Sequence, residues 1–258
     1  MKEEKSPLLF RFICWVVWLF SPKYNLFGTE NLPEGPCIIV GNHSHMYGPI
    51  SSELYTPGTH DTWCAGEMMN RAEVADYAFQ DFWSGKPRCI RWFYRILSYV
   101  IIPISVYIFN HAHTIAVYHD TRLLTTFRQT ILRLQEGSRV VIFPECYDEH
   151  NNIVHKFQDK FIDAARFYYK KTSEAISFVP MYLAPELASI TYGKPIVFRP
   201  DAPINDERCR ICSELMDAIT EIAIALPEHT VVPYPNIPKK YYGKNIPLEV
   251  YTNEEAVG

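Results

Sequence analysis

The chain has 258 residues, of which 48% are hydrophobic and 14% aromatic, and its formal net charge at pH 7 is −4. This composition excludes a largely disordered chain, and the length favours a single α/β domain. Because the basic residues form no stripe and the pI is near 6.1, no nucleic acid is expected as a partner.

Two apolar stretches, residues 8–20 and 96–109, are the candidates for contact with a membrane. Each is shorter than the roughly 20 apolar residues that span a bilayer, and the first is interrupted by Arg11. Trp15 and Trp18 suit the headgroup level, where one edge of the ring stays wet. We predict that both stretches contact the cytoplasmic side of a membrane, as in a peripheral or monotopic protein. Burial of both in the core is the alternative.

The next elements alternate between strands and helices. Residues 37–40, 115–118 and 139–143 are short apolar runs, and each is predicted to be a buried strand. Between the last two, apolar residues at helical spacing predict a helix over 123–134, ended by Gly137. A strand–helix–strand unit of this kind is typical of a parallel sheet.

The second half of the chain continues this alternation. Apolar residues between Phe157 and Tyr168 recur at helical spacing and predict a helix, and residues 175–183 predict another strand. A long helix is predicted to begin near Asn205 or Asp206. The segment after it is rich in proline and tyrosine and predicts an irregular path over the surface.

The predicted fold class is α/β, with a mostly parallel sheet flanked by helices and an N-terminal apolar helix that contacts the membrane. Three segments are expected. Residues 1–27 form the apolar helix and its lead-in, residues 28–226 form the α/β domain, and residues 227–258 form the irregular tail.

Seven cysteines are scattered along the chain: Cys14, Cys37, Cys64, Cys89, Cys146, Cys209 and Cys212. The odd number favours a reducing compartment over a disulfide scaffold. Cys209 and Cys212 are interpreted as small buried side chains rather than as zinc ligands or a redox pair.

Polar residues follow two of the predicted strands. Asn42, His43 and His45 come after the first, and Glu145 and Cys146 come after the strand that begins at Arg139. In open parallel sheets, ligands bind outside the carboxyl ends of the strands. An imidazole there can take a proton near neutral pH, so His43 is the candidate general base, with a structural histidine as the alternative.

The order of the motifs over residues 28–222 resembles that of the phospholipid/glycerol acyltransferases, a family that includes the lysophosphatidic acid acyltransferases. Residues 28–35 are similar to the lead-in to the first strand of that family. The motifs that carry the resemblance are Asn42-His43, Phe143-Pro144-Glu145, Val179-Pro180-Met181-Tyr182 and Gly193-Lys194-Pro195-Ile196.

The resemblance implies an O-acyltransferase of phospholipid biosynthesis, with His43 as the general base. Acyl-CoA or an acyl-carrier protein would donate the acyl group, and a hydroxyl of a glycerolipid-type acceptor at the membrane would receive it. No tightly bound cofactor and no metal are expected. The implied acceptor-binding residues are Phe143, Pro144, Glu145, His119 and Arg122, and the other implied pocket residues are Asn42, His45, Gly48, Cys146 and Pro180.

The sequence departs from the family at three positions. The family's histidine motif places an aspartate five positions after the histidine, where this chain has Gly48. His119 stands where the family has a phosphate-holding arginine, with Arg122 nearby, and Cys146 replaces a glycine. A backbone carbonyl or another acid could orient the imidazole instead, and the candidate acids are Glu53, Glu67 and Asp148.

Three alternatives to acyl transfer remain open at this stage. The first is a non-catalytic relative that binds lipids or acyl chains. The second is a thioesterase or ping-pong transferase with Cys146 as nucleophile. The third is a metal site, built from His43, His45, Glu145, His111 and His113.

Overall fold

The structure is a computed structural model that describes residues 7–246. Residues 1–6 of the predicted N-terminal segment and residues 247–258 of the predicted tail lie outside the described residues. The chain divides into two compact units. Within the described residues, the first unit comprises residues 7–21 and 61–129, and the second comprises residues 22–60 and 130–246.

The helices and strands follow one another in an alternating order. The helices are α1 (Leu8–Phe20), α2 (Tyr47–Tyr55), α3 (Val74–Ala78), α4 (Arg91–Val100), α5 (Ile102–His111), α6 (Leu123–Gln135), α7 (Asp163–Thr172) and α8 (Ile204–Ala225). The strands are β1 (Asn25–Phe27), β2 (Ile38–Gly41), β3 (His60–Ala65), β4 (Thr114–Val117), β5 (Arg139–Ile142), β6 (Glu145–Glu149), β7 (His155–Phe157), β8 (Ser177–Ala184), β9 (Ser189–Tyr192) and β10 (Ile196–Val197).

In the second unit, β2 is the central strand of the sheet. It pairs in parallel with β5, with Ile38 opposite Val140, and in parallel with β8, with Ile38 opposite Phe178. All four residues of β2 are buried, which explains why its sequence is a continuous apolar run. Beyond β8, β9 pairs antiparallel to it and β1 pairs in parallel with β9, while β10 pairs antiparallel to β8.

The first unit contains the parallel pair β3–β4, in register from Thr62 opposite Thr114 to Ala65 opposite Val117. It also contains α1 and the bent pair α4–α5. Among the described residues no helix alone has the length and apolar composition to cross a membrane. The segments 88–100 and 102–111, bent by 46° at their junction, meet those two criteria together.

The predicted fold class is confirmed, because the strand pairings are mostly parallel and helices flank the strands. The short apolar N-terminal helix is also confirmed, since α1 covers Leu8–Phe20, whereas its contact with a membrane stays a prediction. The division into three segments stays a prediction.

One predicted helix begins later than expected. Phe157 belongs to strand β7 and pairs with Glu145 across a β6–β7 hairpin, so the helix α7 begins only at Asp163. Phe157 is in the hairpin, whereas Phe161 and Ile162 are buried in a short 3₁₀ turn at Asp159–Ile162. Sequence spacing alone does not distinguish that arrangement from one continuous helix.

The interpretation of the two neighbouring cysteines was wrong for one of them. None of the seven cysteines forms a disulfide bond, and Cys212 is buried as expected, but Cys209 is exposed. Residues three apart on a helix differ by about 60° around its axis, because the helix has 3.6 residues per turn. At the edge of the buried face of α8, that rotation places one thiol inside and the other in solvent.

Candidate active site

Asn42 fixes the end of strand β2 to the neighbouring strand β8. Its Oδ1 accepts the backbone N–H of Leu183 at 2.8 Å, and its Nδ2 donates to the Leu183 carbonyl at 3.1 Å. The same Nδ2 donates to Ser44 Oγ at 2.8 Å. Because the side chain is buried and its polar atoms are paired, the chain leaves the sheet at a defined place.

The turn after His43 uses backbone conformations that non-glycine residues rarely adopt. Ser44 and His45 have φ angles of 45° and 53°, in the left-handed region. The N–H of Gly48 then donates to the His43 carbonyl at 3.2 Å, and helix α2 begins at Tyr47. Such conformations cluster at functional sites, where the surrounding contacts hold them in place.

Glu145, at the start of β6, holds two histidines through their backbones. Its Oε2 accepts the N–H of His43 at 2.5 Å, and its Oε1 accepts the N–H of His155 at 2.9 Å. The side chain is 3% exposed, and burial raises its pKa to about 7, while the two backbone N–H donors act in the opposite direction. The Glu145 side chain therefore fixes the backbones of His43 and His155.

The His43 imidazole lies between two aromatic rings. The ring centroid of Phe143 is 5.5 Å away and that of Tyr234 is 5.7 Å away, both edge-on. Burial lowers the pKa of His43 below its usual 6.5, while backbone hydrogen bonds with His45 and within His43 act in the opposite direction. The imidazole is therefore neutral at pH 7, as a proton acceptor must be.

Position 48 has no room for the aspartate of the family motif. A Cβ atom on Gly48 would lie 2.4 Å from the His43 carbonyl oxygen and 3.0 Å from the Phe143 ring. The contacts that favour the charged form of His43 come from backbone groups. Of the candidate acids, Asp148 is exposed on β6, Glu53 is in α2, and Glu67 belongs to the first unit.

The two other predicted acceptor-binding residues, His119 and Arg122, belong to the first unit. His119 is exposed. The Arg122 guanidinium stacks 3.7 Å above the centre of the Tyr118 ring and pairs with Asp120 at 2.8 Å and Glu73 at 3.0 Å. Because two carboxylates already neutralise it, Arg122 would have to exchange a partner to hold a phosphate.

The remaining predicted pocket residues stand on neighbouring elements of the second unit. Pro180 lies in β8 opposite Val40 of β2, and the Pro144 carbonyl accepts the N–H of Gln158 at 2.9 Å. Cys146 is half-buried on β6. Residues 7–246 contain no group of three or more histidine, cysteine, aspartate or glutamate side chains that could hold a metal ion.

Sequence reasoning missed residues that come to the site from the hairpin and the tail. Tyr234 contacts His43, and its ring centroid also lies 6.1 Å from that of His155 and 5.4 Å from that of Tyr147. His155 lies in strand β7, and the tail sequence predicts only an irregular path. The proline and tyrosine content of the tail was the only available signal, and it does not indicate where the tail packs.

The structure is similar to that of the 1-acyl-sn-glycerophosphate (LPA) acyltransferase PlsC from Thermotoga maritima. The TM-score is 0.50 at 15% sequence identity, over 85% of this chain and 81% of that chain. No protein-family model matches the sequence, and the search of curated proteins also gives no match. The similarity therefore concerns the fold, which this chain shares with an acyltransferase.

Proposed function

We propose that the protein is an O-acyltransferase that moves a fatty acyl group from an acyl thioester to a hydroxyl of a glycerolipid-type acceptor. The thioester is acyl-CoA or an acyl-carrier protein. The observation that carries the proposal is the placement of His43: it follows β2 at the carboxyl end of a parallel sheet, in a fold shared with an acyltransferase. Its backbone is fixed by Glu145 and its ring is neutral at pH 7.

In the proposed reaction, the neutral imidazole of His43 takes the proton of the acceptor hydroxyl as its oxygen attacks the thioester carbonyl carbon. The tetrahedral intermediate then expels the thiolate, which takes the proton back from the imidazolium. The products are the acyl ester and the free thiol. General base catalysis of this kind contributes on the order of 10²–10⁴ to the rate.

The missing aspartate is replaced, in this proposal, by the backbone. A triad acid holds the tautomer of the imidazole and stabilises its charged form. Here, backbone hydrogen bonds with His45 and within His43 favour that charged form. Glu145 fixes the segment from which the ring projects.

We further propose that the acceptor differs from the glycerol phosphate named for PlsC. An arginine binds phosphate well because its planar fork donates two hydrogen bonds to it. His119 has no such fork, and the Arg122 guanidinium is held by Asp120 and Glu73. A hydroxyl lipid without a terminal phosphate fits this arrangement better.

A membrane surface is the proposed place of action, with the protein peripheral or monotopic on the cytoplasmic side. Helix α4 of the first unit exposes Trp92, Phe93 and Ile96, which are 65%, 52% and 55% exposed. Helix α1 exposes a further set: Leu8, Leu9, Phe12, Trp15, Trp18, Leu19 and Phe20. Aromatic and aliphatic side chains of this kind insert into the interfacial region of a bilayer.

Release of free thiol tests the reaction. Purified protein is incubated with acyl-CoA and a panel of hydroxyl acceptors, including monoacylglycerol, lysophosphatidylcholine and lysophosphatidic acid. We expect release that depends on an acceptor and that falls by about 10² or more in His43→Ala. His150→Ala is the matched control, because His150 pairs only loosely with Asp217 at 3.6 Å and should leave the rate unchanged.

Full activity of His43→Ala would contradict the assignment of the base. Release without an acceptor that disappears in Cys146→Ala would instead indicate a thioesterase. A second candidate function is lipid or acyl-chain binding without turnover. It is favoured by the lack of space for an aspartate side chain at position 48. Lipid binding by a protein that releases no thiol with any acceptor would support that candidate.

A further inference from the structure

The segment of residues 229–245 forms a loop whose two arms pair at its base. The N–H of Val231 donates to the Gly243 carbonyl at 3.0 Å, and the N–H of Asn245 donates to the His229 carbonyl at 3.2 Å. The Asn245 side chain accepts the N–H of His229 at 2.9 Å. We call this segment the tail loop.

The base of the tail loop is fixed to the core of the second unit. His229 is fully buried, its Nδ1 donates to the Pro227 carbonyl at 2.7 Å, and its Nε2 accepts the hydroxyl of Tyr182 at 2.8 Å. Tyr182 belongs to strand β8. Asn245 also donates to the Ala223 carbonyl at the end of α8, at 2.7 Å. These bonds are shielded from water, so the base stays in place.

The tip of the tail loop lies on the histidine segment. The ring centroid of Tyr234 lies 5.7 Å from that of His43. The carbonyl of the next residue, Pro235, accepts a hydrogen bond from His45 Nε2 at 3.1 Å. Tyr242, on the other arm, packs edge-on against His45 at 6.0 Å. The tip thus covers the candidate base with an aromatic ring.

The contact between the tip and His155 leaves a polar atom available. His155 is 7% exposed, and its Nδ1 has no hydrogen-bond partner within residues 7–246. A buried imidazole nitrogen usually has a partner, and a bound ligand can provide one. The Tyr234 ring lies beside both imidazoles, with ring-centroid distances of 5.7 Å to His43 and 6.1 Å to His155.

We propose that Tyr234 forms the wall of the acceptor site over His43, and that the size of the side chain at position 234 selects which acceptors reach the imidazole. The proposal rests on the proposed function and adds the specificity residue to it. The base is held by buried hydrogen bonds, whereas the tip contacts the histidine segment through aromatic rings and the His45–Pro235 hydrogen bond. In this proposal, the tip adapts to an acceptor while the base stays in place.

Acceptors with headgroups of increasing size test the selection. The ratio of kcat/KM for lysophosphatidylinositol to that for monoacylglycerol is measured in the wild type, Tyr234→Ala and Tyr234→Phe. We expect the ratio to rise about tenfold or more in Tyr234→Ala, because removing a pocket wall relaxes size discrimination, and to stay unchanged in Tyr234→Phe. Tyr234→Leu is measured in parallel, so that the test stands if the alanine variant unfolds.

Tyr241→Ala is the control, because Tyr241 is on the same loop but is 63% exposed. It should leave the ratio unchanged. A uniform change for all acceptors in Tyr234→Ala and Tyr234→Leu, or no change, would overturn the proposal.

A second measurement separates this proposal from the proposed function. Diethylpyrocarbonate modifies exposed neutral imidazoles, and mass spectrometry locates the modified residue. We expect His43 to react several-fold faster in Tyr234→Ala than in the wild type or Tyr241→Ala, because the covering ring is gone. If the wild type transfers no acyl group, the proposed function fails, and the modification rate of His43 then tests by itself whether Tyr234 covers the imidazole. Equal rates in the wild type and Tyr234→Ala would overturn the proposal that Tyr234 forms a wall over His43.

Discussion

At the scale of single residues, the proposed general base is His43, an imidazole without the acid partner of a catalytic triad. In a triad, the acid stabilises the charged histidine. Here the rings of Phe143 and Tyr234 remove water from His43, and burial outweighs the backbone hydrogen bonds that favour the charged form. The His43 imidazole is therefore neutral at pH 7, and as the proposed general base it would be weaker than an ordinary histidine.

This lowered pKa gives a prediction for the pH dependence of the reaction. Protonated His43 cannot accept the hydroxyl proton, so kcat/KM should fall as the pH falls through the pKa of His43. Because burial holds that pKa below 6.5, the acid limb of the profile should have its midpoint below 6.5. A pH–rate profile between pH 4.5 and 8 measures it. A midpoint at or above 6.5, or a rate independent of pH, would contradict the prediction.

At the scale of elements, the connection between β2 and α2 determines which side chains can lie beside His43, the proposed base. Asn42 fixes the end of the strand, Ser44 and His45 turn in the left-handed region, and Gly48 closes against the His43 carbonyl. In this geometry, the turn leaves no volume at position 48 for the Cβ atom of an aspartate.

We therefore expect that Gly48→Asp does not restore a triad. The new Cβ atom would meet the His43 carbonyl at 2.4 Å, so the turn must shift, at a cost of about 1–3 kcal/mol in the free energy of unfolding. Urea denaturation and the thiol-release assay measure the two effects. Gly35→Asp is the matched control, since no atom lies within 4 Å of a Cβ there, and it should leave stability unchanged. A Gly48→Asp variant that is as stable as the wild type and more active would contradict this account.

At the scale of the whole molecule, two helices of the first unit expose large apolar side chains to solvent. Helix α4 exposes Trp92 and Phe93, and α1 exposes a set of similar side chains. Patches of large exposed apolar side chains mark interaction sites or membrane-binding surfaces. Their aromatic composition favours a lipid interface.

Binding to vesicles tests this surface. The variant Trp92→Ser/Phe93→Ser should bind phosphatidylcholine vesicles at least about tenfold more weakly, because burying one such side chain is worth about 1.5 kcal/mol or more. Flotation on a sucrose gradient measures the bound fraction. Ile224→Ser is the control, since Ile224 is exposed on α8, outside the proposed surface. Equal loss of binding in both variants would contradict a specific role of α4.

The sequence by itself determined the strands of the central sheet and the residues at their ends. Apart from Arg139 and Ser177 at their starts, strands β2, β5 and β8 are buried, so their sequences are mainly apolar and can be recognised locally. Parallel neighbours end at the same edge of a sheet, and His43 and Glu145 each follow a predicted strand. Their hydrogen bond joins residues 102 positions apart.

Only the tertiary structure decided how that site is covered and held. The sequence does not show that Glu145 binds backbone N–H groups, because a carboxylate has no preferred partner until the fold supplies one. It equally does not show that the tail reaches the histidine segment, where His45 and Pro235 meet across 190 residues. Both contacts depend on long-range packing of side chains, and periodicity along the chain carries no record of it.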